Sequence, residues 1–405
     1  MKKSPIILFL LFALFLQNCQ QEAVVLPLEE CTLDVVHNSD EHPKAAEFQA
    51  LLDKYVAKGF PGLSMVIYTP EGGKWLGSAG VAKIETQEMM QPCHIFHSAS
   101  VAKTYHAVAA MSLMEEGRLD IDKTIDNYLP DWVCKELANR TTATVRQLMN
   151  HTSGIPDFIE DVDHITDYFH DLHRTFTTAE YLDYICKDKA DFEAGQSLSY
   201  SNTNTVLLAL IMDEVAGNHA DVITEKIINK LGLKHTFYKN ETGYPAPKGA
   251  VNTYVDMKGD GKLINSTAIE RNFAKMNIGH DAMMASAHDY FLFIRALFEG
   301  KLIAQNSLDQ MLDLAKYPSI IDYGEGLGLA VVKTPLKNIT RAGHDGGSLG
   351  AANIVQHYVE KDITIVICSN FGGFLDSPLS EMFYSTLIGS QASILGELEL
   401  MLLSE

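Results

Sequence analysis

The chain has 405 residues, 46% of them hydrophobic and 21% charged. That is long enough to bury a large core in two or three lobes, with the composition of a globular protein and not of a disordered one. A formal charge of -20 and the lack of any Lys/Arg cluster argue against a nucleic-acid partner, because phosphate binding needs a basic stripe.

Residues 1–18 read MKKSPIILFLLFALFLQN, two lysines followed by an apolar run from Pro5 to Leu16. The run is short for a bilayer span and is built like a secretory signal peptide. Its removal, with Lys2 and Lys3, takes the charge from -20 to -22. Cys19, followed by the polar QQEA, resembles the lipidated cysteine of bacterial lipoproteins, although Asn18 departs from the small residue preferred before it. The expected location is therefore exported, as a periplasmic or cell-envelope protein with membrane anchoring through lipidated Cys19, the alternative being plain secretion. Residues 19–44, polar and acidic, read as a tether; the folded domain is expected over 45–395, and 396–405 as a C-terminal tail.

Within the domain, apolar residues at Phe48, Leu51, Leu52, Tyr55 and Val56 have helical spacing. Leu63–Tyr68 and Lys74–Val81, joined by the turn-rich TPEGG, read as a hairpin. A helix is expected from near Ser100 to about Gly117. The stretch from about 120 to 285 mixes helical patterns, such as Thr203–Ala216, with irregular loops. Strand signals return at Gly328–Lys333, Asn353–Tyr358 and Thr364–Ser369, followed by a helix over about 376–392. Strands at both ends with helices between predict an α+β fold: an antiparallel sheet built from both chain ends, flanked by helices, with an inserted, mainly helical lobe.

The segment FHSASVAKTYHA, residues 96–107, carries two serines and a lysine. A serine hydroxyl becomes a nucleophile only when a neighbouring base takes its proton. Ser100 and Lys103 are i and i+3 and share a helix face, whereas Ser98 has Val101 and Ala102 at the corresponding positions, so Ser100 is the candidate. Lys103 lies among alanines, and desolvation there favours the neutral amine that accepts a proton. Tyr200 and Asn202 are i and i+2, placing both side chains on one side of an extended segment. The stretch AGHDGGSLGAAN, which contains His344, reads as a strand beside a cleft, with glycines that let a substrate backbone approach.

Four motifs stand in order: SVAK, LMNHTSGIP at 148–156, YSN at 200–202 preceded by FEAG, and HDGG from His344 followed by SLG. With 97 residues from Lys103 to Tyr200 and 144 from Tyr200 to His344, they resemble the serine β-lactamase and penicillin-binding superfamily, most closely the class C β-lactamase, DD-carboxypeptidase and esterase branch, over about residues 45–390. The resemblance implies a serine hydrolase that forms an acyl-enzyme on Ser100. Lys103 and Tyr200 would transfer protons, the Tyr200 pKa being lowered by Lys103. Asn202, His344 and Gly346 would meet the substrate, the backbone amides of Ser100 and Gly347 would form the oxyanion hole, and neither metal nor organic cofactor is implied. The superfamily pattern of Lys-Thr-Gly on the cleft strand grips a substrate carboxylate; here His344-Asp345-Gly346 replaces it. A neutral histidine holds a carboxylate weakly, and Asp345 repels one unless turned away or paired, for example with Arg341. The expected substrates are small esters, amides or D-amino-acid peptides. The alternatives are a D-alanyl-D-alanine carboxypeptidase or β-lactamase, and an inactive cell-wall binding protein. The presence of Ser100, Lys103, Tyr200 and Asn202 speaks against the last.

Three further features read as structural. Six cysteines (19, 31, 93, 134, 186 and 368) without CxxC pairs predict mostly buried thiols and no complete disulfide framework. His164, His170 and His173, in DVDHITDYFHDLHR, read as a polar rim near the cleft instead of a metal site. Residues 256–267, DMKGDGKLINST, read as a hairpin turn, and His151, Thr152 and Ser153 as residues fixing a turn before Gly154.

Overall fold

In the C-terminal strands, apolar residues occupy successive positions at Ile354–Val355 and Ile365–Cys368, as expected of a sheet buried on both faces. The computed structural model describes residues 41–238, 247–276, 278–314, 323–334, 339–372, 377–383 and 393–404. The signal segment, Cys19 and nearly all of the tether lie outside the described residues. The described strands are β1 (Gly62–Thr69), β2 (Gly73–Lys83), β3 (Glu88–Met89), β4 (Ile95–His97), β5 (Thr236–Tyr238), β6 (Tyr254–Val255), β7 (Ile264–Asn265), β8 (Met283–Ser286), β9 (Tyr323–Glu325), β10 (Ala330–Lys333), β11 (Thr340–Gly347), β12 (Ala352–Tyr358) and β13 (Ile363–Ser369). Eight form one antiparallel sheet in the order β3-β2-β1-β13-β12-β11-β10-β9. The seam between the two chain ends is β1 on β13, with Val66 opposite Val366.

Side chains of successive strand residues point to opposite faces, and each face has its own core. Met65, Ile67, Ile354, Ile365 and Ile367 pack with Phe48, Leu51, Leu52 and Leu398 from α1 (Ala45–Ala57) and the C-terminal helix Ile394–Leu403. Val66, Val355, Val366 and Cys368 face the other way, into a larger core shared with α2 (Ala102–Glu115), α4 (Asn202–Ala216) and α6 (Ala287–Phe298). Two shorter helices complete the cleft side, α3 (Val162–His170) and α5 (Thr267–Met276), and the C-terminal helix is α7. Helix α2 is buried nearly all round, as expected of a helix central to a large domain.

Several expectations need correction. The expected tail from 396 is helix α7, fixed by a buried ion pair: Arg341 on β11 donates to Glu399 at 2.9 Å, and the Tyr358 hydroxyl donates to the same carboxylate at 2.9 Å. Of the helix expected over 376–392, residues Pro378–Phe383 are helical and 384–392 lie outside the described residues. The mainly helical middle region also carries strands: β5 and β8 join β4 in a second small sheet, and β6 pairs with β7. Cys134 and Cys186 form a disulfide and Cys93 is also disulfide-bonded, leaving Cys368 as a buried free thiol. The Cys134–Cys186 pairing spans 52 positions, and no local spacing announces it. Residues 256–263 do turn a hairpin, between β6 and β7, and the Asp256 carboxylate accepts from the amides of Asp260 and Gly261.

The Cys134–Cys186 bond closes a segment of 52 residues. Loop-closure entropy gives such a bridge about 4 kcal/mol. The Cys134→Ser, Cys186→Ser double variant is therefore expected to lose stability on the order of 2–4 kcal/mol in urea unfolding under non-reducing conditions, and an unchanged midpoint would contradict this.

Candidate active site

The nucleophile turn is built by backbone constraint. A 3-10 turn at Ala99–Val101 leads from β4 into α2, and Ala99 has φ of +45°, a left-handed conformation that a residue with a Cβ adopts only when its surroundings impose it. Those surroundings are visible. The Asn353 side-chain amide donates to the carbonyls of His97 (2.8 Å) and Ser98 (3.2 Å), and β11 lies directly against the turn. At Gly346 a Cβ would stand 2.4 Å from the Ser98 carbonyl oxygen and 3.1 Å from the Ser100 nitrogen, so only glycine fits. Ser98, the serine set aside, is fully buried and donates to Asp281 at 3.3 Å.

Ser100 and Lys103 meet as their spacing predicts, with Nζ 2.9 Å from Oγ. The ammonium or amine also donates to Asn202 Oδ1 at 2.8 Å and to the His280 carbonyl at 3.3 Å. Burial lowers the Lys103 pKa to about 7, against the opposing pull of Asp157, Asp281 and Glu325. The side chain is buried and its stem packs along α2, so this lysine does not reach solvent. Asn202 is held in one orientation, because its Nδ2 donates to Asp157 Oδ2 at 2.8 Å.

Tyr200 hydrogen-bonds to the Ser100 side chain from the other direction, with Lys103 Nζ 5.0 Å from its ring centroid. The expected lowering of its pKa is not found. Burial pushes the phenol well above its ordinary value, the bond with Ser100 acts against this, and the fields of Glu325 and Asp157 add to the rise. The reason is burial: the phenolate would lose its hydration in the enclosed site, and two nearby carboxylates oppose its charge.

His344 is buried close to Tyr200 and Lys103. Its ring centroid is 6.2 Å from that of Tyr200, Nδ1 donates to the Asp345 carbonyl at 2.6 Å, and buried Nε2 has no hydrogen-bond partner among the described residues. Burial, with Lys103 nearby, lowers its pKa to about 4, so it is neutral. Asp345 points to the opposite face of β11, where Gln356 donates to it at 2.8 Å and Arg341 attracts it. Strand β10 pairs with β11 only as far as Gly343, which leaves the edge of His344–Gly347 open toward the Ser100 turn, and Gly347 is exposed there. All the residues singled out from the sequence, Ser100, Lys103, Tyr200, Asn202, His344, Gly346 and Gly347, thus converge on one place.

Two residues were not singled out for chemistry. His151 stacks on Tyr200 with ring centroids 4.4 Å apart, and its Nδ1 accepts from the Ser201 amide at 3.1 Å. It too has a positive φ, +56°, so the LMNHTSGIP turn is bent to present this ring. Asp157 anchors Asn202 as described. His164 is not on a polar rim; it is buried in a cage of Phe158, Tyr168, Phe176, Tyr181 and Tyr184, while His170 and His173 are exposed. The aromatic surroundings pull it inward and lower its pKa by desolvation. The cleft above Ser100 encloses about 220 Å³, and Ile159, Ile165, Tyr168, Phe169 and Phe273 give it an apolar wall.

Comparison with known proteins agrees with this geometry. Residues 48–380 match the Beta-lactamase family. Penicillin-binding protein 4* of Bacillus subtilis is 25% identical over 338 residues, 80% of this chain and 70% of that protein. Among solved structures, a D-stereospecific amidohydrolase from Streptomyces sp. superposes with a TM-score of 0.70 at 25% identity, covering 81% of this chain and 94% of the other. The D-amino acid amidase from Ochrobactrum anthropi gives 0.69 at 25% identity, covering 81% and 91%. The family match over most of the chain, with these likenesses in sequence and fold, shows that the chain belongs to the Beta-lactamase family, as a serine hydrolase of the β-lactamase and penicillin-binding superfamily.

Proposed function

We propose that this hydrolase cleaves small esters and amides through an acyl-enzyme on Ser100, and that a substrate carboxylate is not its handle. The single observation that carries the mechanism is Lys103 Nζ at 2.9 Å from Ser100 Oγ with its pKa lowered to about 7. The neutral amine takes the Ser100 proton as Oγ attacks the carbonyl carbon, and the tetrahedral oxyanion is received by the amides of Ser100 and Gly347. Tyr200, kept protonated and hydrogen-bonded to Ser100, gives its proton to the leaving group and regains one from Lys103. Water, deprotonated by the same pair, then releases the acid. Asn202, locked by Asp157, holds the amine in place and turns its remaining polar surface to the substrate.

The substrate reading rests on the cleft strand. His344 is neutral and Asp345 is turned away, so neither side chain offers a cation to grip a terminal carboxylate. That disfavours penicillins and peptides ending in a free carboxylate and supports amides and esters, amides being the class named for the amidase relatives. Export in an oxidising compartment is supported by the Cys134–Cys186 bond and by the signal-like first 18 residues, and attachment through a lipid on Cys19 remains part of the same proposal.

Labelling with a fluorophosphonate probe is expected to modify the wild type and not Ser100→Ala; modification of the variant at equal rate would refute the assignment of the nucleophile. Because the neutral amine is the active form, the acylation rate should rise about ten-fold per pH unit below pH 6 and level off above about 7. A pre-steady-state profile flat from pH 5 to 8 would show that Lys103 is not the base. Gly346→Ala, which drives a methyl group against the Ser98 carbonyl, should cut kcat/KM at least a hundred-fold on a p-nitrophenyl ester while far-UV circular dichroism is retained, roughly the cost of misplacing an oxyanion donor.

A further inference from the structure

The cleft has an acidic end that the chemistry at Ser100 does not use. Helix α5 carries Glu270, fully buried beneath the turn that follows Gly347. One of its oxygens accepts from the Gly350 amide at 2.8 Å, Ser348 also bonds the carboxylate, and Oε1 has no hydrogen-bond partner among the described residues. Asp281 acts on it electrostatically and is tied to the nucleophile turn through Ser98. Next to Asp281 in the chain, His280 is 3% exposed and lines the cleft with neither ring nitrogen hydrogen-bonded among the described residues. Glu270, His280, Asp281 and Ser348 therefore line the same cavity as Ser100, Tyr200 and Gly347.

Two buried carboxyl groups beside polar atoms that lack partners are costly unless a ligand completes them. The groups that act on Glu270 are Asp281, Ser348 and the Gly350 amide, and Glu270 in turn raises the Tyr168 phenol. The groups that act on Glu270 among the described residues include no cation. Burial, reinforced by Asp281, pushes the Glu270 pKa up to about 8, so the site waits as a protonated acid. The complement of such a site is a compact cation with several donors, and a primary ammonium has three.

Position selects which part of the substrate brings it. Ser348 follows Gly347 in the chain and bonds Glu270, so the acid stands next to the strand end whose amide would receive the carbonyl oxygen, and Ile165, Phe169 and Phe273 line the same cavity. Building on the acyl-enzyme reading above, we infer that Glu270 and Asp281 form a subsite for the ammonium group of the acyl donor, so that the substrates are amides or esters of amino acids with a free amine and an apolar side chain. On binding, the Glu270 carboxyl loses its proton to solvent and pairs as carboxylate with the ammonium.

The test separates binding from hydrolysis by using Ser100→Ala protein. Calorimetry at pH 7 with both enantiomers of phenylalaninamide and of N-acetylphenylalaninamide should show the free amine of at least one enantiomer binding roughly ten-fold tighter or more, the scale of a charge-assisted hydrogen bond. Repeating it in buffers of different ionisation enthalpy should show release of close to one proton, since the carboxyl is mostly protonated at that pH. Adding Glu270→Gln should abolish both the preference and the proton release; Asp281→Asn, which leaves Glu270 in place, should weaken the preference and serves if the first variant does not fold. Equal affinity for the two amides, binding of neither, or a preference that survives Glu270→Gln would overturn the subsite. Loss of turnover in the wild type with the amine preference intact would overturn the acyl-enzyme reading and leave the subsite standing.

Discussion

The removal of one amine from water is the constraint on which the rest of the structure turns. A lysine on a surface helix keeps its proton at every physiological pH and is useless as a base. Here Lys103 is walled in by α4, by the loop carrying His280 and by β9 with its buried Glu325, and three carboxylates surround it at a distance that moderates the effect without reversing it. Without those acids the amine would titrate lower and be a weak base; with them closer it would stay charged. Asn202 and Asp157 then matter less as charges than as a ratchet on orientation, fixing which lone pair of the amide faces Lys103.

The second constraint is mechanical. The nucleophile turn is bent into a left-handed conformation at Ala99, and the bend is sustained from outside by Asn353 and by the close passage of β11. The tyrosine has a parallel arrangement: His151, itself in a left-handed conformation, lies flat against its ring. Two of the five non-glycine residues with positive φ among the described residues, Ala99 and His151, thus stand beside Ser100 and Tyr200, against a sheet packed on both faces. Rigid surroundings let a small cleft hold a demanding geometry.

Much of this was readable in advance, for identifiable reasons. Ser100 and Lys103 are three residues apart on one helix, so local geometry alone brings them together, and the strands of the two chain ends have a hydrophobic pattern too continuous to mistake. Tyr200, Asn202 and Gly346 came from motif order, since nothing local shows that an extended segment and a distant strand meet the same helix. Asp157 and Glu270 left no such signal. Each is a single acid in a polar stretch, and only the tertiary fold shows that one braces an amide and the other is sealed in the cleft. The lowered Tyr200 pKa failed as an expectation because burial of the phenol, which only the tertiary fold shows, disfavours the phenolate. The disulfide at Cys134 was missed because pairing depends on proximity in space, and the helix over 394–403 because its anchor, Arg341, lies far away in sequence.

The seam between β1 and β13 joins residues 300 positions apart, as at Val66 and Val366. Contacts of such span form late, since the entropy of closing the loop must be met before any pairing rewards it. During synthesis the N-terminal hairpin therefore emerges with its apolar edge and both faces uncovered long before its partner strand exists, and a chaperone or an unfolded passage to its destination has to cover that interval. Strand β11, which carries Gly346 against the Ser100 turn, is anchored to the sheet through β12 and β13, so the site is assembled only with the last strands to dock, and a truncated nascent chain lacks it by topology alone.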